Sequence, residues 1–316
     1  MAKMKFGIML GQAAGWNEVA DMWRFVDRET AFHSAYVFDH FVAGDPRADA
    51  NYDGICLEGW SALSALAAIT DRVRLGVLVT GVTYRNPALL AKMAVTVDHI
   101  SNGRLELGIG AAWHEPEHRM YGWDYPSNRE REDRLEEAVR LIRRLFESNG
   151  RVTFEGAYYH LQDAVFDPKP LQKPRIPILI GGGGEKRTLR TLARYGDIMN
   201  TGGTPDIMRH KIDVLERHCR DAGRDPSEIE KTYWGPIIVS DNERLVERVA
   251  QMSGAPLGLS PEDAKRVLPI GNAGHVRSVV EEYARAGVQR MVMMSQAPWK
   301  QDLYRRINDE LVRAFE

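Results

Sequence analysis

A repeated beat constrains this chain more than any single motif: a short apolar strand, a glycine or polar break, then an amphipathic helix. Lys5 to Leu10 reads as a strand closed by Gly11, and Trp16 to Ala31 as a helix with Val19, Trp23 and Val26 at helical spacing. Ala35 to Phe38 is a second strand, followed by a polar loop to about Gly54 and a helix holding Trp60, Leu63, Leu66 and Ala67. Val73 to Thr80 is apolar and rich in branched residues, as a parallel strand buried on both faces should be, and Pro87 stands at the start of the next helix. Arg104 to Ile109 is a fourth strand, Ile178 to Ile180 a fifth, Ile198 to Asn200 ends a sixth, Tyr233 to Val239 is a seventh and Arg290 to Ser295 an eighth. Helices are predicted from Arg129 to Phe146, from Glu185, from about Pro205 to Ala222, from Asn242 to Met252, from His275 to Ala286 and from Gln301 to Phe315.

Eight strands, each followed by a helix, predict an α/β TIM barrel, (β/α)8, spanning residues 1–316 as one domain, with function on the loops at the C-terminal strand ends. Three stretches interrupt the beat and are predicted as insertions: residues 42–53, residues 121–166 with a hairpin from Val152 to Val165, and residues 253–269. A doubly wound open sheet is the competing architecture, and the lack of a Gly-x-Gly-x-x-Gly after the first strand weakens it.

The most informative local stretch runs from Pro177 to Gly202. The fifth strand breaks directly into Gly181, Gly182, Gly183 and Gly184, and the helix behind them carries Leu189, Leu192 and Ala193 on one side and Arg187, Arg190 and Arg194 on the other. Four glycines remove every side chain from the turn, so backbone N–H groups can approach a ligand, with the positive end of the helix dipole behind them. Such a turn binds phosphate well. A plain tight turn is the simpler alternative, and four glycines in a row before a basic helix favour the anion site.

Composition narrows the partners. A formal charge of −2 gives no reason to expect nucleic acid or a membrane surface. No apolar run approaches the roughly 20 residues of a membrane span, and Met1 to Gly11 is a poor signal peptide, so the chain is expected to be cytoplasmic. Cys56 and Cys219 have no metal-type spacing and are expected to be packing residues; no metal is expected. A small-molecule substrate and a second copy of the chain, forming a homodimer, are the expected partners.

Asp39 and His40 follow the second strand, which puts both at the barrel mouth. Histidine exchanges protons near neutral pH, and a neighbouring carboxylate can hold its tautomer or favour its charged form; strand-end hydrogen bonding is the alternative. His114, Glu115, Glu117 and His118 follow the fourth strand and read as a polar helix start rather than site groups. Gly110, Ala111 and Ala112 suggest backbone lying flat against a planar ligand with Trp113 as a wall, barrel packing being the alternative.

Four of these segments, in this order, resemble the luciferase-like monooxygenase family: Ser34 to Phe41 (SAYVFDHF), Arg74 to Pro87 (RLGVLVTGVTYRNP), Gly103 to His118 (GRLELGIGAAWHEPEH) and Pro177 to Asn200. Within the family they most resemble the branch that uses the deazaflavin coenzyme F420. The resemblance implies a TIM barrel with insertions and an oxidoreductase that moves hydride between F420 and a small organic substrate. It implies that Gly181 to Gly184 with Arg187 and Thr188 hold the cofactor phosphate, and that Asp39 and His40 lie beside the reactive ring, His40 acting as acid or base. Leu78 and Val79, leading into Thr80, match a strand bulge that in relatives contains a non-proline cis peptide bond backing the ring, with Gly110 to Trp113 nearby. Sugar-phosphate dehydrogenases of the branch carry a catalytic Glu at the end of the fourth strand, where this chain has Trp113. An FMN-dependent monooxygenase using molecular oxygen is the competing activity, and a non-catalytic flavin-binding protein the competing class.

Overall fold

The computed structural model describes residues 3–43 and 54–316. Eight strands form the barrel: β1 (Lys5–Met9), β2 (Ser34–Val37), β3 (Arg74–Val77), β4 (Leu105–Gly110), β5 (Ile178–Gly181), β6 (Ile198–Thr201), β7 (Glu230–Gly235) and β8 (Arg290–Met294). Each pairs in parallel with the next, and β8 closes on β1 in the register Lys5↔Arg290 to Met9↔Met294. The expected TIM barrel is therefore the fold. After Val77 the third strand is interrupted at a cis Leu78–Val79 peptide bond, where the resemblance implied one, and resumes as Thr80–Gly81 against β4.

Strand residues that face outward, such as Ile8, Val37, Leu107 and Ile180, pack under a shell of helices. The shell comprises α1 (Trp16–Glu29), α2 (Gly59–Ala68), α3 (Pro87–Ile100), α5 (Asn128–Glu147), α6 (Thr188–Tyr195), α7 (Pro205–Asp221), α10 (Ala273–Arg285) and α11 (Gln301–Glu310), while α4 (Glu115–Met120) follows the fourth strand, and α8 (Glu243–Gly254) and α9 (Pro261–Val267) pack on each other around a small core of their own. Inside the barrel, Met9, Tyr36, Leu78, Leu179, Ile198 and Val292 form a smaller apolar layer. Below that layer the core is ionic. Glu106 accepts from Tyr36 Oη at 2.5 Å, Arg74 Nε at 2.7 Å and Arg290 Nη1 at 3.0 Å, and Arg290 Nη2 donates to Glu230 at 2.8 Å. Burial alone would raise the Glu106 carboxyl, but the two guanidiniums and the tyrosine hydroxyl hold it down at about 2.

Several boundaries differ from the sequence reading. The helix expected from Glu185 begins at Thr188, because the chain spends residues 185–187 in a turn after the glycines. The seventh strand ends at Gly235, and Ile238–Val239 leaves the barrel to pair with Ile270–Gly271. Between those two short strands the stretch expected as a Pro- and Gly-containing insertion holds a helix, α9, whose Pro261 sits in its first turn behind the Ser260 cap, a helix start rather than a break. Within residues 121–166 the long helix α5 packs on α3 and α6, the place of an outer barrel helix, while Val152–Glu155 and His160–Ala164 form the antiparallel hairpin. Of the stretch expected as an insertion at 42–53, residues 44–53 lie outside the described residues. No helix among the described residues is long and apolar enough to cross a membrane.

Replacing Glu106 by Gln leaves the fully buried Arg290 with one carboxylate instead of two, and it should cost about 3 kcal/mol in urea unfolding near neutral pH. The folded carboxyl titrates below its ordinary value, so its contribution is present above about pH 4.5 and lost as pH falls toward about 2. The wild-type advantage over the variant should shrink across that window; an undiminished gap would count against the ion-network account.

Candidate active site

Because all eight strands are parallel, their C-terminal ends share one mouth, and every candidate segment of the sequence lies on it. His40 leaves β2 with its side chain about one-third exposed. Its ring lies among Phe38, Trp113 and His114, with centroids at 5.8, 5.5 and 5.5 Å. Trp113 is half-exposed and meets the His40 ring edge-on, and so stands as a wall beside it. Ala112 precedes it at φ 60°, in the left-handed region at the exit of β4.

The carboxylate at the His40 imidazole is Glu117, not Asp39. Glu117 Oε2 lies 3.2 Å from His40 Nδ1 and accepts from Tyr84 Oη at 2.5 Å, while Oε1 accepts the Phe41 N–H at 2.6 Å. Burial would raise this carboxyl; the imidazole, the tyrosine hydroxyl and the amide bring it down to about 2. His114, Glu117 and His118 are all buried, whereas Glu115 is solvent-facing and pairs with Arg119, so the polar-helix-start reading holds for Glu115 alone. The missed signal was spacing: residues 114, 117 and 118 share one face of a helical turn, and that face looks inward. Donor atoms of His40, His114 and Glu117 lie within 4.8 Å of one another. Glu117 already accepts from Phe41 N–H and Tyr84 Oη, and we assign no cation there.

Asp39 turns the other way. Its Oδ2 accepts from Arg85 Nη1 at 2.7 Å, and Arg85 also pairs with Glu58, the cap of α2. Asp39 Oδ1 is buried and receives no hydrogen bond among the described residues. Burial pushes this carboxyl up to about 6 against the pull of Arg85.

The glycine turn separates into distinct jobs. A Cβ on Gly181 would meet the Val79 side chain at 2.9 Å, as would one on Gly110, so those glycines make room for Val79. Gly182 stands at φ 127° and donates its N–H to Asn200. The N–H groups of Gly183 and Gly184 meet no protein acceptor among the described residues, and a Cβ on Gly183 would lie 2.8 Å from the Thr201 hydroxyl, a neighbour that sequence reading did not single out. The basic and hydroxyl groups expected to help are engaged elsewhere: Arg187 pairs with Asp133, and Thr188 Oγ1 donates to Glu132 at 2.9 Å. Thr80 is fully buried and accepts from Trp60 Nε1, and Leu78 is buried in the barrel layer. Ala111 gives its carbonyl to Arg131. Cys56 and Cys219 are free thiols; Cys56 donates to the His40 carbonyl at 3.2 Å, and Cys219 is buried.

The sequence model of the luciferase-like monooxygenase family matches residues 1–315. The chain belongs to this family. Among luciferase-like relatives, the F420-dependent glucose-6-phosphate dehydrogenase of Kineococcus radiotolerans is 31% identical over 84% of this chain and 83% of its own length. The phthiodiolone/phenolphthiodiolone dimycocerosates ketoreductase of Mycobacterium tuberculosis is 35% identical over 65% of this chain, which spans only 52% of that protein. An F420-dependent secondary alcohol dehydrogenase solved with an F420-acetone adduct shares the fold with a TM-score of 0.83 at 22% identity, covering 98% of this chain and 99% of its own.

The Asp39 carboxylate, with Arg85 on one oxygen and no donor among the described residues on the other, is sensitive to pH. Its folded pKa exceeds the unfolded value of 3.8, so folding disfavours the ionised form: stability is greatest below that value and falls as pH rises through about 6. Asp39→Asn should therefore gain up to about 3 kcal/mol at about pH 7.5 and little at about pH 4. A loss of melting temperature at both pH values would instead make Asp39 a structural strand-end group.

Proposed function

We infer that this protein is an oxidoreductase that moves hydride between coenzyme F420 and a small organic substrate, with His40 handling the matching proton. The partly exposed His40 imidazole at the barrel mouth, one nitrogen at a buried carboxylate, carries this reading of the site. The long alignment with an F420-dependent dehydrogenase carries the cofactor. When bound, F420 supplies two-electron hydride chemistry, which no side chain can provide.

The residues fit such a group. Gly183 and Gly184 N–H, beside the Thr201 hydroxyl, would take its phosphate. Asp39 Oδ1 is a buried acceptor that an N–H of a planar heterocycle would satisfy. Val79, half-buried between β4 and β5, and the Gly110 to Trp113 backbone would flank the ring. His40 then takes a proton from a substrate hydroxyl as a carbonyl forms, or returns it in the reverse direction. The Trp113 wall suits an uncharged, apolar part of the substrate. We also propose that the enzyme works in the cytoplasm as a homodimer, which light scattering on the purified protein would check for the oligomer.

Cofactor titration with F420 and FMN, with oxygen uptake followed for each reduced form, tests the reading. F420 binding without oxygen uptake is expected, since deazaflavin does not activate oxygen. FMN binding with oxygen uptake and no F420 binding would overturn it in favour of the FMN-dependent oxygenase. Gly183→Val should weaken F420 binding at least about tenfold, more than it lowers the melting temperature, because its branched side chain fills the space before the Gly183 and Gly184 N–H groups and crowds the Thr201 hydroxyl. Glu132→Gln should tighten binding, since it removes a negative charge bonded to Thr188 beside the nest. Fluorescence titrations of both variants decide; equal affinities would reduce the glycines to a turn.

His40→Ala should leave F420 affinity nearly intact while turnover falls by about 10² to 10⁴, the range for losing a positioned proton-transfer group. Parallel loss of affinity, melting temperature and rate would mark His40 as structural.

A further inference from the structure

We propose that Glu117 is the positioning residue of this site: its carboxylate takes the Nδ1–H of His40 and so keeps Nε2 as the proton-accepting edge of the imidazole. A neutral imidazole carries one N–H, and a nitrogen facing a carboxylate must be the one that bears it, since two lone pairs would otherwise oppose each other. His40 Nδ1 faces Glu117 Oε2 at 3.2 Å.

The carboxylate is not free to turn away. Oε1 is fixed by the N–H of Phe41, the residue after His40, so the anchor shares the backbone that carries the imidazole. Oε2 is fixed by the Tyr84 hydroxyl from the loop after β3. Glu117 itself is fully buried on α4, and water does not compete for it. One carboxylate thus ties together the exits of β2, β3 and β4. The other titratable and charged groups around the pair leave the role to Glu117. Asp39 is held by Arg85, and the Cys56 thiol lies at the His40 carbonyl rather than at the ring. His114 Nδ1 stands 3.6 Å from the same Glu117 oxygen, with burial favouring its neutral form, and His118 Nε2 bonds Thr83.

The inference rests on reading His40 as the proton-transfer group, but its first test does not. In cofactor-free, full-length protein labelled with 15N-histidine, long-range 1H–15N correlation at about pH 8 should show His40, assigned by its loss in His40→Ala, as the Nδ1–H tautomer. An Nε2–H tautomer in the wild type overturns the proposal outright. In Glu117→Gln, the amide oxygen can keep the Phe41 N–H while the amide NH₂ turns to His40 Nδ1, which moves the imidazole proton to Nε2. The spectrum should report that switch, with F420 affinity unchanged and turnover down about 10² to 10⁴ at nearly constant KM, as when an amide under a catalytic imidazole imposes the wrong tautomer. Glu117→Asp should restore the Nδ1–H tautomer and much of the rate. Tyr84→Phe, which removes a donor to the carboxylate but not its contact with the ring, should keep the tautomer and lose less than about tenfold. Equal losses in Glu117→Gln and Tyr84→Phe with no tautomer switch would make Glu117 a packing group and overturn the proposal. An Nδ1–H wild type whose His40→Ala variant keeps full turnover would uphold the positioning and sink the assignment of His40 instead.

Discussion

Closure of an all-parallel barrel is the constraint from which the rest follows. With every strand running the same way, residues far apart in the chain, 39–41, 78–85, 110–118, 181–184 and 201, arrive at one mouth without any direct sequence relation between them. The apolar layer of Met9, Tyr36, Leu78, Leu179, Ile198 and Val292 and the ionic layer around Glu106 and Arg290 fill the barrel below. Stability is concentrated there, which leaves the mouth free to carry groups chosen for chemistry rather than for packing.

Three buried carboxylates show how far the surroundings decide a residue's state. Glu106 receives two guanidiniums and a phenol, and Glu117 receives an amide, a phenol and an imidazole; both are held near 2. Asp39 has a single guanidinium that it shares with Glu58, and one oxygen receives nothing among the described residues; it is pushed up to about 6. The difference is the number of donors that repay the loss of water. A bound N–H would bring Asp39 into line with the other two, which ties its raised pKa to the cofactor reading.

The glycine turn shows a similar division. Two of the expected phosphate contacts, Arg187 and Thr188, are tied to carboxylates of α5, and the basic side of α6 is partly neutralised by Asp133 and Glu136. For the proposed anion the turn offers the Gly183 and Gly184 N–H groups, which meet no protein acceptor among the described residues, beside the Thr201 hydroxyl. On the reading proposed above, such a turn would take a phosphate by the geometry of its N–H groups.

The barrel was legible because periodicity is a local property: a strand buried on both faces and a helix buried on one leave a pattern in any window of the chain, and eight such units admit few closed arrangements. The glycine turn was legible for a related reason, since four missing side chains matter wherever the turn ends up. His40 could be placed at the mouth because it directly follows a strand. Its partner could not be read, because adjacency in sequence favours Asp39 while successive side chains at a strand exit point in different directions, so Asp39 goes to Arg85. Glu117 lies 77 residues further on, in a short charged helix with no apolar stripe to mark its inner face. Likewise nothing near Arg187 in the sequence marks Asp133 of α5 as its partner. By itself the sequence determined the barrel, the mouth and some of the residues placed there, His40 and the glycine turn among them; only the tertiary structure brought in Glu117 and Thr201 and decided which groups are paired with which, because hydrogen bonds and ion pairs act over a few ångströms in space and take no account of distance along the chain.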